Sequence, residues 1–200
     1  MKRLERKTAP GVRAGAVQKK NNWEETPGYD ISEQPELVID RQRLGDGYRH
    51  LLTQADVRRF ISNIPDWEEH SRGLNAVALA PKYKDYFGYY NPGVISLCAW
   101  SLDASISVSC WFYSRRRSFL ACLGVTCLPD GNSGWTLEFD EETARAFLLL
   151  DTFLHELGHH NDFMNTRKPE NANRGESHAE EFALRLGLQL WPTYQKAFRL

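Results

Sequence analysis

Leu154-His155-Glu156-Leu157-Gly158-His159-His160 is the stretch around which the rest of the chain is arranged. Within it stands the pattern His155-Glu156-x-x-His159. On a helix, residues four apart share a face, one turn above the other. Both imidazoles then aim at one point, where a single cation takes a nitrogen from each. Glu156 falls beside that point and not on it. There it is placed to take a proton from a metal-activated water.

The flanking residues predict the helix that this geometry needs. Asp140-Glu141-Glu142-Thr143 supplies a cap and acidic residues at the positive end of the helix dipole. From Ala144 to His160 the only breaker is Gly158, and Phe147, Leu148, Leu150, Leu154 and Leu157 make the segment apolar on most sides. Such a helix is a buried one. Polar groups inside it need partners, because unpaired buried polar groups are costly. A metal ion with its surrounding acceptors satisfies them together.

Two hundred residues allow one domain, or one domain with a tail. The net charge of -1 gives no overall bias toward nucleic acid. Residues 1–30 read as a disordered basic arm: Lys2, Arg3, Arg6, Lys7, Arg13, Lys19 and Lys20 stand against Glu5 in the first twenty, without an apolar run. Nucleic acid is not expected as a partner beyond weak contact by this arm. Residues 31–200 form the expected globular domain. Cys98, Cys110, Cys122 and Cys127 contain no C-x-x-C pair and read as free thiols in a reducing, cytoplasmic setting. Val94 to Tyr113 imitates a membrane span, but it holds five serines and Asp103 in its middle. Two strands turning near Asp103-Ala104-Ser105 account for it better, and no membrane partner is expected.

In chain order, residues 31–50 are poorly patterned. A first helix is expected over Thr53 to Ile64, opened by a capping box of Thr53 with Asp56 and closed at Pro65. A short helical turn follows over Trp67 to Arg72, then a strand over Asn75 to Ala80. Tyr83, Tyr86, Phe87, Tyr89 and Tyr90 lead to the turn Asn91-Pro92-Gly93. Strands are predicted over Val94 to Trp100, Ile106 to Tyr113, Phe119 to Leu128 and Trp135 to Phe139, the last two joined by a hairpin at Pro129-Asp130-Gly131-Asn132. After His160 a polar loop is expected. A last helix begins near Gly175, interrupted at Trp191-Pro192.

Two histidines need a third protein ligand. The last helix offers Glu176, His178 and Glu180. By helical periodicity Glu176 and Glu180 share a face, and His178 falls on the other side of the apolar stripe. One glutamate would bind metal and the other would orient a histidine. His160 is not at ligand spacing and reads as a packed or solvent-facing neighbour.

The segment His155-Glu156-Leu157-Gly158-His159, followed by Ala179-Glu180-Glu181-Phe182-Ala183, resembles the zincin metallopeptidases of the gluzincin type. The likeness is confined to residues 140–190. Their third ligand is a glutamate on the following helix, two residues before a Phe-Ala pair, which favours Glu180. The small bacterial regulatory metallopeptidases of the ImmA/IrrE type are also similar, and their pattern favours Glu176. Twenty residues separate His159 from Glu180 and sixteen separate it from Glu176; Glu180 is the preferred ligand and Glu176 the alternative. The resemblance implies an α+β, minimal zincin-like fold, with a small twisted sheet packed on the HExxH helix. It also implies a Zn2+ cofactor, a peptide or protein substrate, and peptide-bond hydrolysis with Glu156 as general base. A Tyr or His donor for the oxyanion is implied too, among Tyr89, Tyr90, His178 and Tyr194. Substrate would lie on an edge strand, for which Val94 to Trp100 and Ile106 to Tyr113 are the candidates. The alternative is a non-catalytic regulator that keeps the fold and binds a protein partner.

Overall fold

The computed structural model describes residues 34–102, 105–131, 134–165 and 175–198, with Tyr29 and the backbone of residues 12–13 and 16–17. The arm at residues 1–30 thus lies largely outside the described residues. Within it β1 (Val12–Arg13) pairs antiparallel with β2 (Ala16–Val17). Tyr29 is buried, its hydroxyl donating to Asp40 at 3.3 Å and accepting from Gln42 at 3.0 Å.

The main sheet has four strands in the order β3 (Val38–Arg41), β5 (Ala76–Ala80), β7 (Val94–Cys98), β6 (Gly88–Asn91). The first three run parallel and β6 is antiparallel to β7. β5 and β7 are buried throughout, as strands paired on both sides and covered on both faces are. The crossover from β3 to β5 carries α1 (Gln54–Ile61) and α2 (Trp67–His70). Thr53 and Asp56 close the capping box expected for α1, and Asp56 also pairs with Arg145 at 3.0 Å. β4 (Tyr48–Arg49) pairs with β8 (Trp100–Ser101). A second sheet is antiparallel, in the order β10 (Thr126–Pro129), β11 (Gly134–Glu138), β9 (Ser105–Ser109).

Between β9 and β10 runs α3 (Cys110–Leu123), where strands over Ile106 to Tyr113 and Phe119 to Leu128 were expected. An apolar run does not by itself separate strand from helix. The local signals do. Ser109 accepts from the Phe112 N–H at 3.2 Å as N-cap, and Gly124 takes the left-handed C-terminal position at φ 79°. β10 and β11 pair as the expected hairpin.

One continuous helical rod follows. It comprises α4 (Glu141–Phe147), a π-helical turn (Leu148–Phe153) and α5 (Leu154–Asn165). Asp140 caps it by accepting from the Thr143 N–H at 2.7 Å. The rod is buried from Ala144 to Asp162 at most positions, and the apolar side chains of the π-helical turn and of Leu154 and Leu157 are in the core. It runs past His160 to Asn165, where a polar loop was expected. α6 (Gly175–Phe198) packs along α5 and the π-helical turn, and continues through Pro192. Pro192 has no N–H to donate, so the carbonyl of Leu188, an exposed residue, goes without its helical donor.

The fold mixes helices with small sheets, in keeping with an α+β class. Among the described residues no helix is long and apolar enough to cross a membrane. All four cysteines are free. Val94–Cys98 is a central strand, not an edge; among the described residues the edges of the main sheet are β3 and β6. Ser96→Pro should therefore remove an internal ladder bond from a buried strand, costing at least the ~1–3 kcal/mol of an unpaired buried group. The expected result is loss of the cooperative urea transition by circular dichroism.

Candidate metal centre

Two glycines bring the rod and α6 to backbone contact. A Cβ on Gly158 would stand 2.8 Å from the Ala179 Cα, and one on Gly187 would stand 2.7 Å from the Leu150 carbonyl oxygen. This approach fixes what meets α5. Glu176 lies three residues before Ala179, on the same helix face and toward the N-terminus, where helical side chains lean. Its carboxylate reaches both histidines: Oε2 is 3.2 Å from His155 Nε2, and Oε1 is 3.5 Å from His159 Nε2. The two Nε2 atoms are 3.1 Å apart. His155, His159 and Glu176 form the one cluster among the described residues whose ligand atoms could hold a metal ion.

The spacing suits zinc. Ligands at about 2.0–2.1 Å in tetrahedral array stand about 3.3 Å from one another. The two Nε2 atoms, 3.1 Å apart, and the Glu176 carboxylate bring three ligand atoms to one point. A cation between them uses a lone pair from each.

Glu180 is not with the histidines. Its carboxylate pairs with Arg115 and lies 3.5 Å from Arg116 Nη1. The preference for Glu180 as third ligand is thus not what the geometry favours. Periodicity puts both glutamates on one face of α6, but the Gly158–Ala179 contact sets which turn of that face meets the imidazoles. Arg116 Nε also donates to both oxygens of Asp151, at 3.2 and 3.1 Å.

Glu156 is 6% exposed and has no ion-pair partner among the described residues. Burial pushes its pKa up to about 7. Hydrogen bonds from His155 and His159 hold Glu176 well below the usual carboxylate range. Burial pulls His159 down, but the bond to Glu176 and the charge of Glu156 outweigh it and leave the imidazole above its ordinary value.

A cleft of about 560 Å³ opens over His155, Glu156, Asp151 and Thr152. One wall is Tyr86, Phe87 and Gly88; the other is β9. Gly88 is required here: a Cβ would stand 2.6 Å from Thr152 Cγ2 and 3.3 Å from Glu156 Cγ. Beneath the cleft, Thr152 Oγ1 and His155 Nδ1 are buried without a hydrogen-bond partner among the described residues.

None of Tyr89, Tyr90, His178 or Tyr194 lines the cleft. Tyr90 is engaged with His160 Nδ1 at 3.1 Å and with the Gly93 N–H. Tyr194 is buried against Phe60 and Phe198. His160 is fully buried, its Nε2 donating to the Arg72 carbonyl at 3.1 Å, as suits a packed neighbour. Gly88, Asp151 and Arg116 carry no sequence pattern that separates them from structural residues. No family model, curated protein or solved structure matches the chain.

Glu176→Ala should weaken zinc binding far more than Glu180→Ala. Removal of a supporting group costs about 10- to 100-fold, and removal of a ligand costs more. Chelator competition measures both, and the reverse order would restore Glu180 as ligand. A second expectation concerns pH in the metal-free protein. The Glu156 carboxyl takes up its proton more readily folded than unfolded, so stability falls as pH rises from 4.5 to about 7. That displacement corresponds to about 3 kcal/mol at most. Glu156→Gln should recover up to this amount at about pH 8 and nothing below pH 4.5, read from urea midpoints.

Proposed function

We propose that the chain is a zinc-dependent metallopeptidase with a zincin-like fold. The observation that carries this is the convergence of His155, His159 and Glu176 at tetrahedral spacing, with buried Glu156 beside them on the floor of an open cleft. His155, His159 and Glu176 would hold the ion. When bound, zinc supplies Lewis acidity toward a carbonyl oxygen and a water molecule.

The remaining steps fall to this chain's own groups. Glu156 takes the proton of the attacking water and hands it to the departing amine. That it has no ion-pair partner among the described residues suits a group that must gain and lose a proton in turn. Gly88 receives the peptide. The Phe87 carbonyl accepts from the Cys98 N–H at 2.8 Å, so Phe87 faces into the ladder and, by alternation, the polar groups of Gly88 face out of it. An extended peptide laid along β6 meets that donor and acceptor. The candidate edge strands are thereby revised. β6 replaces Val94 to Trp100. β9, the strand part of Ile106 to Tyr113, forms the opposite wall.

Glu156→Gln should keep zinc and fold while lowering hydrolysis about 10²- to 10⁴-fold. The measurement is metal content by mass spectrometry, then turnover of a peptide library with and without chelator. Protein free of zinc after metal-replete expression would sink the proposal. Zinc uptake with no cleavage of any peptide would turn the assignment toward the regulator that binds a protein partner.

A further inference from the structure

Arg116 does not touch the three candidate ligands, yet it joins the two helices that carry them. Its Nε donates to both Asp151 oxygens, and its Nη1 faces Glu180 Oε1 at 3.5 Å. Asp151 lies one turn before His155, and Glu180 lies one turn after Glu176. One planar guanidinium therefore spans the rod and α6 at the level next to the donor set. The three side chains are only 12%, 13% and 11% exposed, so solvent screens the network little. The Phe112 ring lies 4.4 Å from the Arg116 guanidinium carbon and limits its movement. Arg115 holds Glu180 from the other side.

Resting on the metal centre proposed above, we infer that Arg116 is a positioning residue for it. The Gly158–Ala179 contact sets how near α6 comes to α5. The Gly187–Leu150 contact fixes a second point two turns further along α6, and both contacts are apolar and carry no direction for the polar side chains. The Arg116 fork adds a directional tie beside Glu176, because Asp151 and Glu180 sit at the two arms of one rigid group. Glu176 is then delivered to the imidazoles without a search. Glu180 is the anchor of the fork, which gives a physical role to the acid that the sequence offered as a ligand. Arg116 and Asp151 also line the cleft, so the same strut joins the cleft wall to the donor set.

A network that only stabilises the fold would act alike whether or not Glu176 is present. Positioning acts through Glu176. The experiment is a double-mutant cycle on zinc affinity, read by chelator competition, with wild type, Arg116→Lys, Glu176→Ala and the double variant. Lysine keeps the charge and loses the fork. Arg116→Lys should weaken zinc about 10- to 100-fold in the wild-type background. On the Glu176→Ala background it should do so less than about 3-fold, since coupled residues are not additive. The visible spectrum of the cobalt-substituted Arg116→Lys protein should move toward that of Glu176→Ala. Equal losses in both backgrounds, or no loss, would overturn the inference. Should Arg116→Lys fail to fold, Glu180→Gln leaves the Arg116–Asp151 bond in place and is expected to show the same dependence on Glu176. Wild-type protein that takes up no zinc would remove the metal centre and this inference together. Zinc binding without peptide cleavage leaves the expected cycle unchanged.

Discussion

The nearness of α6 to the helical rod governs the candidate centre. Gly158 and Gly187 sit on opposite partners of this contact, and neither has room for a Cβ. Helices that touch through backbone can bring a short glutamate on one to imidazoles on the other. With ordinary side chains between them, interaxial distances grow toward about 8–10 Å and beyond, and Glu176 would fall short. The contact is apolar and carries no chemistry of its own. Its effect is to set a distance at which three polar groups converge.

Charge around the centre is divided with little left over. Glu176 faces two imidazoles, while Asp151 and Glu180 share Arg116. Glu156 alone among these acids is buried without an ion-pair partner, and its raised pKa follows from that. Buried acids of this kind are uncommon in structural roles, because each carries an uncompensated desolvation cost. The four acids thus differ in what they face. Glu176 is turned to the imidazoles, Asp151 and Glu180 to a guanidinium that links two helices, and Glu156 to the open cleft.

Much of this was legible in the sequence where short-range chemistry decides. The HExxH face, the Asp140 cap, the Thr53–Asp56 box and the hairpin after Leu128 each depend on residues within a few positions of one another. What could not be read depends on packing. Residues 105–123 are rich in β-formers, and only Ser109 and Gly124 mark the helix among them. The short strand Val38–Arg41 has too few residues for a period, and it is a strand because β5 is there to pair with it. Glu176 and Glu180 are equivalent by periodicity. Only the depth at which Ala179 meets Gly158 distinguishes them, and that is a tertiary quantity. For the same reason the free edge fell to β6. The chain adds β6 before β7 yet places β7 between β5 and β6, an order that no local signal announces.

The π-helical turn at Leu148–Phe153 makes chain length, and not only composition, a condition of the site. A residue added to or taken from a helix rotates everything beyond it by roughly 100°. The rod is anchored at its start by the Asp140 cap and in its middle by buried leucines, so the direction of His155 is set by a count of residues from those anchors. The wide turn absorbs one residue that a regular helix could not hold in phase. Apart from Asp151, which Arg116 holds, side chains along Leu148–Phe153 can be exchanged for others of similar volume. Loss of one residue there returns the rod to regular α-helix and leaves the histidines in phase, whereas a residue gained or lost elsewhere between Asp140 and His155 turns them away from the cleft. Related sequences should keep Asp151, vary at the other positions of this segment, and place any one-residue change of length between Asp140 and His155 at this turn.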